Sequence, residues 1–262
     1  MNRYLRIARK LVRFPALVLM LARWLTRNKK RRRQLAIGAG VVLLATVVAG
    51  ELAVDPRHLP WRPLAIDDRA GFSTDIKLTA IGARPSAWCE RLVSGSRSLQ
   101  TRVLVALDEK DGCGWSAAMH IESSNGATLK GKSNYAMRCP LAAGAHIWVT
   151  SIDYRAREIL GSGLAKVHHA GTYSCRRMYN RSSGRMSQHA FANAWDVTGF
   201  ELEDGRIVSV QNHWRAGGPL QGFLHAVRDD ACNIFRVVLG PDYNAQHHDH
   251  FHVDMGYGLR CK

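Results

Sequence analysis

The sequence predicts an α+β domain carried behind a membrane-spanning helix, and three observations point there. An uncharged apolar run of bilayer length lies near the N-terminus, directly after a block of basic residues. Beyond it, short segments with strand-like alternation mix with longer segments of helical spacing, in no repeating β-α-β order. Six scattered cysteines all lie past the apolar run, as an exported, oxidised domain requires.

Taken in order, residues 1–34 form a basic segment for the cytoplasmic side or the membrane interface. Within it, residues 14–22 are apolar, hold Pro15 and are bracketed by Arg13 and Arg23, which reads as a helix lying on anionic lipid. A second span, making a helical hairpin, is the competing reading. Residues 35–54, beginning LAIGAGVVLLATVVAG, are the transmembrane anchor. Lys29, Lys30, Arg31, Arg32 and Arg33 precede it. Positive charge stays inside, so the anchor sits in the inner membrane and the rest faces the periplasm. A cleaved signal peptide, with Val47, Val48 and Ala49 as the cleavage context, is the alternative.

Residues 55–70 are rich in proline and charge and read as a linker. The exported domain, 71–262, opens with strands at 99–107 and 117–121. Pro140 starts a helix to about residue 160, with Ala142, Ala145, Trp148, Val149 and Ile152 on one side. A second helix covers 220–234. Strands follow at 207–210, 236–239 and 251–255, the last two joined through the turn-forming Gly240, Pro241 and Asp242.

The net charge of +16 suggests nucleic acid, but its distribution excludes that partner. Twelve of the 37 basic residues fall within the first 33 positions, and the first acidic residue is Glu51. The remainder holds 25 basic against 21 acidic residues, too even a balance for a phosphate-binding face. None of Cys89, Cys113, Cys139, Cys175, Cys232 and Cys261 forms a CxxC pair, which argues against a zinc ribbon. Three disulfides are expected, with no pairing favoured.

Two clusters carry chemistry. SQHAFANAWD (187–196) spaces His189 and Asp196 seven residues apart, and HHDHFHVD (247–254) is dense in metal-type ligands. Two histidines and an aspartate form a three-ligand zinc (Zn2+) set that leaves a fourth position for water. If 251–255 is a strand, His250, His252 and Asp254 share one face, while Phe251 and Val253 point into the core. Asp249 then falls on the other face unless the strand begins after it. One histidine of the pair ligates and the other stands beside the reacting water. His248 alone reads as a surface residue.

The segments GTYSCR (171–176), SQHAFANAWDVTGF (187–200) and LGPDYNAQHHDHFHVDMG (239–256) resemble the bacterial extensin-like C-terminal domain, from about residue 71 to 261. That domain is in turn similar to the LAS group of zinc peptidases, which includes D-alanyl-D-alanine carboxypeptidases, murein endopeptidases and the Hedgehog signalling domain. The group's SxHxxGxAxD motif is matched at Ser187, His189, Ala194 and Asp196, with Ala192 in place of the glycine, a small-for-small change. The resemblance implies a mixed domain with a small antiparallel sheet flanked by helices. It makes His189, Asp196 and His252 the metal ligands. For the catalytic base it offers Asp249, as in dipeptidase-like members, or His247 and His250, as in murein endopeptidases; the strand face favours His250. It places Ser187 and Arg176 at the substrate, the Arg holding a substrate carboxylate, although Ser174 and Cys175 offset its register.

These readings lead to a membrane-anchored envelope zinc peptidase acting on peptidoglycan stem peptides or cross-links. A zinc-bearing wall-binding or signalling module, and a metal-free structural envelope protein, are the competing functions.

Overall fold

The computed structural model describes residues 29–131 and 135–262. They fall into two units, divided after Asp55. The expected interfacial helix at 14–22 lies outside the described residues.

In the first unit, helix α1 runs Lys29–Ala53. Its 25 residues give a length of about 37 Å, and it is apolar enough to serve as a membrane anchor or a signal sequence.

The second unit is mixed α+β. Helices α2 (Thr74–Gly82) and α3 (Ser86–Ser94) lead into strands β1 (Leu99–Leu104), β2 (Leu107–Asp108), β3 (Gly114–Trp115), β4 (Ala118–Ser124), β5 (Ala127–Gly131) and β6 (Ala136–Met137). Helix α4 (Cys139–Arg155) ends in a π turn, Ala156–Leu160. Then come β7 (Leu164–Gly171), β8 (Ala194–Leu202), β9 (Ile207–Ser209), α5 (Val210–His213), α6 (Gly218–Cys232), β10 (Val237–Leu239), β11 (Phe251–Asp254) and β12 (Arg260–Cys261).

The sheet is larger than the small antiparallel one expected. Among the described residues it has ten strands, ordered β1-β4-β5-β7-β8-β11-β10-β12, with β6 on β4 and β9 on β8. Two pairs are parallel, β5–β7 across the α4 crossover and β10–β12. Strands of two or three residues carry no readable alternation, so β6 and β12 left no trace in the pattern. The turn at Gly240 only begins the connection to β11, which continues through a 3-10 turn at Ala245–His247.

Helix α4 makes the core. Its N1/N2 proline opens it as predicted, and Trp148, fully buried, packs edge-on against Trp195, Phe235 and Phe251. Its indole N–H donates to the Val227 carbonyl at 2.9 Å, which joins α4 to α6. Burying each such aromatic contributes roughly 2–3 kcal/mol, so this cluster fixes which face of β8 and β11 is apolar. The β7–β8 register slips between His168 and His169, opposite Thr198. That bulge changes the inward set on β8 from Trp195 and Val197 to Phe200 and Leu202.

The 55–70 segment is not a free linker. Leu59 and Ile66 are buried in the second unit. Asp67 accepts from the buried His146 at 3.0 Å, and the other His146 ring nitrogen meets Ser124 Oγ at 2.7 Å. Hydrogen bonds from Ser96 and Ser98 and the His146 contact outweigh burial and hold the Asp67 carboxyl down to about 2. All six cysteines are paired, as Cys89–Cys139, Cys113–Cys175 and Cys232–Cys261.

Candidate metal centre

On β8 and β11 the side of the sheet away from Trp148 is polar. Phe251 and Val253 face Val197 and Trp195 on the core side, so the alternation turns His252 and Asp254 to the opposite face. There His252 is registered directly opposite Asp196. His189 arrives from a 3-10 turn, Gln188–Phe191, whose N-cap Ser187 accepts a hydrogen bond from the His189 backbone N–H at 3.3 Å. Ser187, expected at the substrate, thus caps the turn that presents His189.

Three ligand-type atoms converge. His189 Nε2 lies 3.2 Å from His252 Nδ1 and 3.1 Å from Asp196 Oδ2, and His252 Nδ1 lies 2.8 Å from Asp196 Oδ1. The outward nitrogens fix the tautomers. His189 Nδ1 faces the Thr172 carbonyl at 3.2 Å, and a carbonyl can only accept, so that nitrogen carries the proton. His252 Nε2 donates to Asp254 Oδ2 at 3.1 Å, and Asp254 Oδ1 is itself held by the Gly256 N–H at 2.7 Å. Each imidazole therefore turns its lone pair inward, where it meets the other lone pair and a carboxylate. Three acceptors this close, all largely buried, need a shared cation, either a proton or a metal ion. Neutral imidazoles with backed outer nitrogens are the donor set that zinc takes.

The electrostatics agree. Burial alone would raise the Asp196 carboxyl, but hydrogen bonds and charge from His189 and His252 hold it well below the usual range. Burial opposes the charged form of His252, yet the bonds to Asp196 and Asp254 outweigh it and raise the group to about 9. The pocket is built to hold positive charge.

The remaining predicted residues surround these three. His250 is on the same face as His252, with Nε2 3.7 Å from Asp196 Oδ1. Its Nδ1 donates to Asp249 Oδ1 at 2.8 Å, so Asp249 orients the His250 ring. His247 donates from Nδ1 to Asn244 Oδ1 at 2.7 Å, and its ring centroid lies 5.2 Å from that of His250. Burial and the charges of His250, His252 and Arg176 hold His247 down to about 4, so it is neutral. Arg176 is thus within electrostatic reach of the site, and its carbonyl accepts the Ser187 N–H at 3.0 Å. His248 is exposed and bonds only locally, to the Ala245 carbonyl at 2.8 Å.

Three partners escaped sequence reasoning: the Thr172 carbonyl, Asn244, and Asp254 as the support of His252. Asp254 had a signal, because it lies two residues beyond His252 on the same strand face. Ala192 shows why the motif position it occupies favours glycine. It adopts φ 50°, ψ 36°, in the left-handed region, so backbone conformation rather than size is the constraint.

Among curated proteins, none matches the chain. The family model described as "Extensin-like protein C-terminus" matches residues 87–262, which cover the candidate centre and all three disulfides. The chain belongs to the extensin-like C-terminal family.

Proposed function

We propose that the protein is a membrane-anchored zinc metallopeptidase of the cell envelope, acting in the periplasm on peptidoglycan stem peptides or cross-links. One observation carries this reading: His189, Asp196 and His252 converge with both imidazoles locked in the ligating tautomer. The likeness of the 187–196 motif to LAS-type peptidases supports it, as do helix α1 and the three disulfides.

His189, Asp196 and His252 would hold the ion. Zinc, when bound, supplies Lewis acidity for the attack of water on a peptide carbonyl. His250 carries the proton chemistry. With Nδ1 tied to Asp249, its Nε2 faces the centre, where it can take a proton from the attacking water and return it to the leaving amine. Asp249 fixes the ring. Neutral His247 stands beside His250 and can donate or accept toward the substrate. Arg176 would hold a substrate carboxylate.

The test is incubation of the protein with purified muropeptides, with and without chelator, and mass measurement of the products. Zinc-dependent cleavage is expected. Intact muropeptides alongside stoichiometric zinc would instead favour a wall-binding module.

A further inference from the structure

No acidic residue occurs between Glu158 and Asp196, a stretch that holds Arg176, Arg177, Arg181 and Arg185. These four lie on or beside a hairpin closed by the Arg177–Met186 bridge and the Met178 N–H to Arg185 carbonyl bond. Cys175, at its base, is tied to Cys113. At the tip, Tyr179 and Asn180 adopt φ 59° and 54°, left-handed conformations that asparagine tolerates and tyrosine does not favour. Such strain persists only where surrounding contacts impose it.

The contacts that impose it lead to the candidate centre. The Tyr179 and Tyr243 phenols interact, which raises the Tyr179 pKa, while the charges of Arg260 and Arg181 pull the other way, so both cations reach that phenol. Arg260 donates to the Tyr243 hydroxyl at 2.9 Å and lies over the Tyr243 ring, and Arg181 lies over the Tyr179 ring. Tyr243 in turn stands edge-on to His247, 5.4 Å between centroids. Two arginines thus flank a tyrosine pair one ring from the tilted His247–His250 pair. Elsewhere Arg155, Arg157, Arg206, Arg215 and Arg228 pair with carboxylates, while other arginines, Arg84, Arg138 and Arg236 among them, have no such partner among the described residues. Arg176, Arg181 and Arg260 have no carboxylate partner among the described residues.

We infer that Arg181 and Arg260, held over the Tyr179 and Tyr243 rings, form a second carboxylate-binding station, so that the preferred ligand is a peptide with two free carboxylates. Arg176 takes the first. The inference rests on the peptidase reading for the peptide nature of the ligand, and on the unpaired cations for its charge. A charge-assisted bond to an arginine is roughly twice as strong as a neutral one, so loss of one carboxylate should weaken binding about tenfold.

The probe is a stem-type tetrapeptide, L-Ala-γ-D-Glu-L-Lys-D-Ala, which has two carboxylates, and the same peptide with its D-Glu carboxyl amidated. Equilibrium binding of both to the full-length zinc-loaded protein should favour the peptide with two carboxylates about tenfold. In the Arg181→Gln/Arg260→Gln double variant that preference should fall to near unity, with affinity for the amidated peptide and zinc content unchanged. An undiminished preference in the double variant, or binding of neither peptide, overturns the inference. Charge-selective binding without zinc or hydrolysis would leave the inference standing and remove the peptidase reading. Hydrolysis of both peptides at equal affinity would do the reverse.

Discussion

His252 lies directly across the sheet from Asp196, with its Nδ1 2.8 Å from the carboxylate, and Asp254 holds the opposite side of the same ring at 3.1 Å. The imidazole is therefore fixed at both nitrogens, and its orientation survives only if both strands keep register.

Zinc content should track this arrangement. His189→Ala, Asp196→Ala and His252→Ala should each lose the ion, while the parent binds one per chain by elemental analysis. Asp254→Asn keeps all three ligand atoms but unfixes the ring, so competition against a chelator should show affinity lowered about 10–100-fold. Full zinc retention in all three ligand variants would mean the site lies elsewhere.

His250 and Asp249 separate by degree. His250→Ala should keep zinc and lower hydrolysis by roughly 10²–10⁴-fold, the range of a positioned acid–base group. Asp249→Ala removes only the group behind the ring, so its loss should be the smaller of the two. A larger loss at Asp249 would make it the base and leave His250 a supporting role.

His169 should make the fold acid-sensitive. It is buried between Tyr135 and Trp195, with no hydrogen-bond partner on either ring nitrogen among the described residues. Burial is the largest cause that holds it down to about 4 from an ordinary 6.5. Between those values the unfolded chain takes up a proton that the fold refuses. Its contribution is intact above pH 6.5 and is lost as the pH falls toward 4, by about 3 kcal/mol in all. Denaturant unfolding of His169→Phe across that window should show a shallower decline than the parent. Parallel declines would assign the acid sensitivity to other groups.

Ala192 allows a test of backbone strain. Replacing a buried alanine with glycine normally costs about 1 kcal/mol or more through lost burial and chain entropy. At Ala192 relief of the left-handed conformation offsets that cost, so Ala192→Gly should unfold within about 0.5 kcal/mol of the parent. Ala142→Gly, at a regular helical and fully buried position, should show the normal loss. Equal losses at both positions would show that strain at Ala192 is negligible.

Particular residues explain what the sequence revealed and what it hid. The alternation from His250 to Asp254 was readable because β11 has one polar face and one face packed on Trp148, so every second residue declares its side. Helix α4 was readable from Pro140 and its apolar stripe. The packing of residues 56–70 was not, since proline and charge mark loops in general, and the tie from Asp67 to His146 spans 79 positions. The bulge opposite Thr198 hid the true inward set of β8. The Tyr179–Tyr243 link joins residues 64 positions apart, and no local pattern signals it.

The disulfide connectivity has a consequence for how the chain acquires its fold. Numbered in chain order, the first cysteine pairs with the third and the second with the fourth, so the loops closed by Cys89–Cys139 and Cys113–Cys175 interleave. A chain oxidised as it emerges, each thiol seizing the previous one, would join Cys89 to Cys113 and Cys139 to Cys175. Only Cys232–Cys261 would form correctly by that route. Maturation therefore depends on delay or on repair: either the sheet organises before the thiols are consumed, or the early bonds are reshuffled by exchange. Because Cys175 anchors the arginine hairpin, a mis-joined chain would misplace that hairpin even with His189, Asp196 and His252 all present.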